Sequence, residues 1–359
     1  MAERGPLDRY LRQRTVEDGK SFDQAWAETS ILLVGLGGVG TPLAQILTRS
    51  GIGQLTLVDG DRVHDTDLHR QLLYDDKDVI SGIPKAEAAY KFLSQIGGRT
   101  SLRSYAGMLT PRNALELFEG HDFVIDATDH IAARSLIQET SLQSAIGWFH
   151  SAAIADRWIA ASFTPPGSPC YHCWVAPELN EVSIGTCETV GVLPATCMAA
   201  ASAVFRLLTM TLQSPLDFGG TDPRHPENSS RRILRGSLAE GERWVELFAD
   251  PNCPTCSSSA LEKSVDMASG HQREAGYPMR RLCGSGSLEV WIDKDIDTIQ
   301  QHLISNSPLE KWRKTPFSLR IEDPAGAITC YRDGRALITG DLAKEPTTAK
   351  KKLAQILDF

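Results

Sequence analysis

Apolar positions along the chain fall into two kinds of run. Short continuous blocks, Ile31–Val34, Leu55–Val58 and Phe123–Ile125, have the length of buried strands. Between and after them come stretches with helical spacing. Leu43, Ile46 and Leu47 mark one within Thr41–Arg49, and residues 86–96, Asn113–Phe118 and Ile131–Ala145 supply others. Strand and helix alternating in this way predict an α/β fold around a mostly parallel sheet. Two more strand-like runs follow, Trp148–Ile154 and Trp158–Phe163, and then an apolar helix, Ala195–Leu212. A polar stretch over 257–280 reads as a linker. Beyond it, Leu288–Trp291, Phe317–Ile321 and Ala336–Ile338 predict strands, and Ile296–Leu303 and Thr347–Leu357 helices, with Asp333-Gly334 as a turn signal. The pattern divides the chain into an N-terminal arm and helix over 1–30, a main domain over 31–256, the linker, and a small α+β domain over 281–359.

The first strand runs directly into Gly35, Gly37, Gly38 and Gly40, a G-x-G-G-x-G turn with Pro42 in the first turn of the helix behind it. Glycines there permit a tight turn and close approach of a phosphate, and the helix N-terminus offers unpaired N–H groups. Asp59 closes the second strand 19 residues beyond Gly40, where a Rossmann-like fold puts the acid for ribose hydroxyls. The series predicts a nucleotide site. By itself it leaves ATP and NAD both open, and the glycines alone would also suit a purely structural turn.

The next segments bear on that choice. Asp61–Tyr74 is a polar loop containing Asp61, Asp67, Arg70 and Gln71, and Lys85 opens the following helix. A lysine at a helix start opposes the helix dipole unless an anion is also present. A loop arginine and this lysine suit the charge of a triphosphate better than that of a dinucleotide pyrophosphate. Asp126 and Asp129 lie at the carboxyl end of the third strand, where one could hold Mg²⁺ through carboxylate oxygen and the other cap the next helix. Cys170 and Cys173 form one C-x-x-C pair and Cys253 and Cys256 another. Together they offer the four thiolates of a closed, structural zinc site. Cys187 precedes a Gly- and Pro-punctuated helix entry, where a thiol can be activated as a nucleophile or merely buried; Cys197 and Cys330 read as buried thiols.

Composition narrows the function classes. The chain has 359 residues and a net charge of −8, which argues against general affinity for nucleic acid or an anionic membrane. No apolar run reaches the roughly 18 residues of a membrane span, and the N-terminus lacks a signal-peptide core. A cytoplasmic protein is expected. Arg9, Arg12 and Arg14 cluster in the arm. They are either a solvated basic face or a source of one arginine for phosphates across a dimer interface.

These motifs together resemble the ThiF/MoeB/HesA adenylyltransferases, relatives of the ubiquitin-activating enzymes, over about residues 8–256. Gly35–Gly40 is similar to the family's glycine turn, with Asp59 as its ribose acid. Asp67-Leu-His-Arg70-Gln71 is similar to its N-L-x-R-Q, Lys85 to its G-x-P-K lysine, and Asp126-Ala-Thr-Asp129-His130 to its D-x-T-D-N with Asp129 as the magnesium acid. Arg9-Tyr-Leu-Arg12-Gln13 is similar to R-Y-x-R-Q, whose second arginine reaches the partner subunit's active site. The paired cysteines match the family's zinc ligands, and Cys187 falls where many members carry a reactive cysteine. The tail resembles the small C-terminal domain of some bacterial members.

The resemblance implies ATP, Mg²⁺ and Zn²⁺, and a homodimer. It further implies a carboxylate substrate on a small ubiquitin-like sulfur-carrier protein, with no nucleic acid or membrane partner. Two family asparagines are replaced, by Asp67 and by His130. That keeps a precursor peptide in natural-product biosynthesis open as the substrate. An NAD-dependent oxidoreductase and a non-catalytic scaffold are the readings from other classes.

Overall fold

The computed structural model describes residues 9–16, 19–165, 167, 169–175, 190–213, 230–253, 255–257, 279–281, 287–292, 294–306, 311–315, 318–331 and 335–357. The chain forms two compact units, Met1–Ser269 and Gly270–Phe359.

The first unit is built on an eight-stranded sheet of order β3-β2-β1-β4-β5-β6-β7-β8. Strands β1 (Ser30–Val34), β2 (Gln54–Val58), β3 (Ser101–Tyr105), β4 (Phe123–Asp126) and β5 (Gly147–Ile154) are parallel. Strands β6 (Arg157–Phe163), β7 (Ser230–Ser237) and β8 (Gly241–Phe248) continue the sheet antiparallel. The inner parallel strands are covered on both faces, which is why β1 and β2 read as unbroken apolar runs. One face packs Leu43, Leu47, Ala89, Leu93, Val204 and Leu207; the other packs Phe118, Ile137, Trp148, Phe163 and Tyr171.

Among the described residues, the helices of this unit are α1 (Leu11–Arg14), α2 (Gly19–Glu28), α3 (Gly40–Ser50), α4 (Asp76–Ser81), α5 (Lys85–Ile96), α6 (Ala114–Phe118), α7 (Ile131–Ser144), α8 (Tyr171–Trp174) and α9 (Pro194–Gln213). Helix α3 stops at Gly51, whose left-handed φ of 75° closes its last carbonyls. Helix α9 corrects one expectation, since by length and composition it could cross a membrane. Here it is a core helix that packs on β5, β6 and α3 and buries Ala200, Val204, Leu207 and Leu208.

Several elements escape the apolar pattern, among them β3, α4 and the β7–β8 hairpin. Strand β3 is an edge with four of its five residues exposed, so Ser-Leu-Arg-Ser-Tyr carries no buried run. Helix α4 holds through its ends: the Asp75 carboxylate accepts from the N–H groups of Lys77 and Asp78, and Asp78 returns to the Asp75 N–H. The β7–β8 hairpin is rich in Arg and Glu.

The second unit is a six-stranded antiparallel sheet of order β11-β12-β13-β14-β10-β9. Its strands are β9 (Met279–Arg281), β10 (Leu288–Trp291), β11 (Lys311–Lys314), β12 (Ser318–Asp323), β13 (Gly326–Tyr331) and β14 (Arg335–Gly340). Helices α10 (Ile296–Asn306) and α11 (Pro346–Leu357) pack with Val290, Leu319, Ile328, Cys330 and Ile338 into one core. Strand β9 begins inside the stretch expected to be linker, whose remainder beyond residue 257 lies outside the described residues, as does Asp333-Gly334.

Candidate active site

The carboxyl ends of β1, β2, β4 and β5 open on a cavity of about 800 Å³. Its floor is the glycine turn. Gly35 has φ of +92°, and a Cβ there would lie 2.7 Å from the Ala127 carbonyl oxygen. A Cβ on Gly40 would collide with the Gly35 carbonyl, so Gly40 shapes the turn from the start of α3 without lining the cavity. Cys197 is buried, as expected of a structural thiol, yet it lines the cavity beneath Gly38.

Asp59 is tied to this turn. Leu36 N–H donates to one of its carboxylate oxygens at 2.7 Å and Asp61 N–H to the other at 2.8 Å. Each oxygen keeps lone-pair capacity for a further donor, such as a ribose hydroxyl. Burial, then the neighbouring Asp61 charge, push the Asp59 carboxyl up to about 6, against the pull of Lys85.

The loop after β2 makes a short 3₁₀ turn, Asp65–Asp67, and Asp67 is its hub. One Asp67 oxygen accepts from the Gln71 amide at 2.7 Å and from Arg70 at 3.4 Å. The other accepts from the His64 N–H at 3.1 Å and faces Lys85 Nζ at 3.5 Å. Lys85 begins α5 and also faces Asp61 at 3.5 Å. Its burial favours the neutral amine, but Asp59, Asp61 and Asp67 together outweigh that and hold its pKa above the usual lysine value. The carboxylates thus supply the negative charge that a lysine at a helix start requires. Asp67 thus has two cations beside it. The Arg70 stem lies 3.4 Å from where a Gly38 Cβ would be, so the loop sits directly over the glycine turn.

Asp129 and His130 form the rim. Asp129 is exposed and His130 partly so, and they lie 3.3 Å apart, Oδ1 to Nε2. Neither Asp126 nor Asp129 caps α7; its N-cap is His130, without a side-chain cap bond. Asp126 is instead fully buried. One oxygen accepts from the Thr128 N–H and hydroxyl at 3.0 and 2.6 Å, and the other is 2.6 Å from His150 Nδ1. Arg134 lies 3.6 Å from Asp126 and donates to the Thr128 carbonyl at 2.8 Å. Burial lowers the His150 pKa, and the bond to Asp126 opposes it. Sequence reasoning missed His150 and Arg134. The available signal was pairing: His150 is the register partner of Asp126 across β4 and β5.

Gly35, Gly37, Gly38, Asp59, Asp61, Asp67, Arg70, Gln71, Lys85, Asp129 and His130 therefore share one cavity. Arg12 does not join them in its own chain. It is exposed on α1, whose surroundings are pinned by Arg9 to the Ile96 carbonyl at 2.8 Å and Arg14 to Asp23 at 3.2 Å. Cys187 lies outside the described residues.

The four paired cysteines meet at a separate place. Their sulfurs lie within 4.8 Å of one another, with Cys170–Cys253 at 3.6 Å and Cys173–Cys256 at 3.4 Å. A tetrahedral zinc with bonds of about 2.3 Å would set sulfurs about 3.8 Å apart, so the donor set fits that ion. Hydrogen bonding with the Cys170 sulfur lowers Cys173 to about 7 and pushes Cys253 far down, while Cys170 is pushed far up. Cys173 and Cys253 are thereby shifted toward the thiolate, the form that binds a divalent cation. His172 links the cluster to α7, reaching Thr255 at 2.6 Å and Ser135 of α7 at 3.1 Å.

Comparisons with known proteins agree with this architecture. The profile of the ThiF family matches residues 9–255. The sulfur carrier protein ThiS adenylyltransferase of Bacillus subtilis is 25% identical over 345 residues, covering 94% of this chain and 96% of that protein. The adenylyltransferase and sulfurtransferase UBA4 of Yarrowia lipolytica is 33% identical over 206 residues, 56% of this chain and 51% of that protein, so the match spans about half of that relative. Among solved structures, E. coli MccB with MccA-N7isoASN superposes with a TM-score of 0.57 at 17% identity, covering 71% of this chain and 76% of that one. That likeness is one of fold.

Proposed function

The chain belongs to the ThiF family, and from that premise we propose an ATP-dependent adenylyltransferase that activates the C-terminal carboxylate of a small ubiquitin-like sulfur carrier. The observation that carries this reading is the gathering of the glycine turn, Asp59, Arg70, Lys85 and Asp129 around one cavity. An NAD-dependent oxidoreductase leaves those two cations and the rim acid without a task. A scaffold without catalysis leaves the whole cradle without one.

In the reaction, a carboxylate oxygen attacks the α-phosphorus of ATP, the bond from that phosphorus to the bridging oxygen breaks, and pyrophosphate leaves. The chain contributes positioning and charge neutralisation. Asp59 holds the ribose, while Arg70 and Lys85 hold the phosphates, with Arg12 brought by a second copy in a cytoplasmic homodimer. Asp129 would hold Mg²⁺, which offsets phosphate charge. The four cysteines would hold a structural zinc. Cys187 can accept the acyl group: its thiolate attacks the acyl carbon and AMP departs. A peptide carboxylate is the second reading, favoured by Asp67 beside Arg70 and Lys85 and by His130 beside Asp129, where the family's motifs carry asparagines.

Pyrophosphate exchange with candidate carrier proteins tests the assignment. Asp129→Ala should lower exchange by about 100-fold or more with an unchanged thermal midpoint, because the carboxylate is 54% exposed. Undiminished exchange in that variant would remove Asp129 from the mechanism.

A further inference from the structure

Asp67 is only 6% exposed, and its carboxylate is the shared partner of both phosphate-holding cations. One oxygen lies 3.4 Å from Arg70, the other 3.5 Å from Lys85. Gln71 and the His64 N–H fix the same carboxylate in place. Asp61 adds a second carboxylate 3.5 Å from Lys85, but that one is 56% exposed and screened by water. Asp59 adds a third charge close by. Two cations thus face three carboxylates, and the cradle carries a negative balance before any nucleotide arrives. An incoming polyphosphate must compete with Asp67 for Arg70 and Lys85, and then lie beside the carboxylate it has displaced. At low effective dielectric that repulsion is large unless a cation intervenes.

We propose that Asp67 is an internal counter-anion which ATP displaces from Arg70 and Lys85, and that it makes nucleotide binding depend on the divalent cation ATP brings with it. This rests on the adenylyltransferase reading and adds to it a specificity residue: Asp67 selects the metal-complexed nucleotide against the bare anion. Asparagine at this position keeps an acceptor for Gln71 and removes the charge.

Equilibrium titration of the full chain with ATP, in excess Mg²⁺ and in EDTA, decides the matter for wild type, Asp67→Asn and Asp61→Asn. Wild type should bind at least 100-fold more weakly in EDTA. Asp67→Asn should bind bare ATP at least tenfold more tightly than wild type, shrinking the Mg²⁺ dependence by the same factor. Asp61→Asn should move it less than threefold. A gain in affinity is a readout that structural damage would not give.

Equal or weaker binding of bare ATP by Asp67→Asn, at an unchanged thermal midpoint, overturns the proposal, as does an equal gain in Asp61→Asn. Should Asp67→Asn fail to fold, wild type still decides: tight ATP binding in EDTA overturns the proposal, and a 100-fold loss supports it. A wild-type chain that binds no ATP even with Mg²⁺ overturns the enzymatic reading and this inference together.

Discussion

The cysteine cluster and the cavity over the glycine turn both gather groups far apart in the chain, yet they treat charge and solvent differently. At the cluster four sulfurs close on one point, and three of the four cysteines are buried. In the cavity Lys85, Arg70 and three carboxylates balance one another imperfectly around about 800 Å³ of open space. The first arrangement suits an ion that stays, the second a ligand that comes and goes. They are not isolated from each other. Helix α7 carries Arg134 toward Asp126 and Thr128, Ser135 toward His172, and Gln138, whose side chain accepts from the Tyr171 N–H at 3.1 Å. One face of a single helix therefore touches the loop bearing Asp129 and the knuckle bearing Cys170 and Cys173.

The harshest way to break the comparison is to open the closed site. Cys253→Ser removes a fully buried thiol from the cluster, and structural zinc sites contribute roughly 10–16 kcal/mol of apparent binding free energy. Metal analysis should fall from one zinc per chain to well below half, and the thermal midpoint should drop by roughly 10 °C or more. Retention of full zinc and an unmoved midpoint would mean the sulfurs meet for another reason.

The cavity should answer differently, losing activity far more than stability. Lys85→Ala should reduce pyrophosphate exchange by roughly 100- to 1,000-fold. It should cost only roughly 1–3 kcal/mol in urea unfolding, because Asp67 keeps Arg70 and Gln71 while Asp61 keeps water. Similar proportional losses in stability and exchange would erase the distinction between the two places.

The same contrast explains what could be read from the sequence. Glycine turn, Asp59 and the C-x-x-C pairs are local signals, in which backbone sterics or metal geometry dictates residue type and spacing together. Lys85 at a helix start was legible because the dipole makes it unfavourable alone. Asp126, Arg134 and His150 were not, since they meet only once β4 and β5 are laid side by side. The role of Asp126 was misread for that reason, as its strand-end position equally suits a cap. Strand β3 went unread because an exposed edge needs no apolar run. Arg12 is exposed to solvent within one chain, and the proposed function gives it to a second copy.

The mildest probe concerns Asp59 and pH. Its carboxyl stands at about 6 in the folded chain against an ordinary 3.8, so the folded state holds that proton more strongly. The associated stabilisation is complete below pH about 4 and disappears as pH rises through about 6. Across that window the unliganded chain should lose about 1–2 kcal/mol of unfolding free energy from this half-buried, partly solvated group, and Asp59→Asn should flatten the slope. Metal binding at the cysteine cluster should behave in the opposite sense, since thiolates bind metal only after losing protons. Urea unfolding at pH 4.5 and 6.5, with zinc content followed in the same samples, separates the two. A wild-type slope unchanged in Asp59→Asn would assign the acid-side stability to other carboxylates and leave the Asp59–Lys85 balance unstrained.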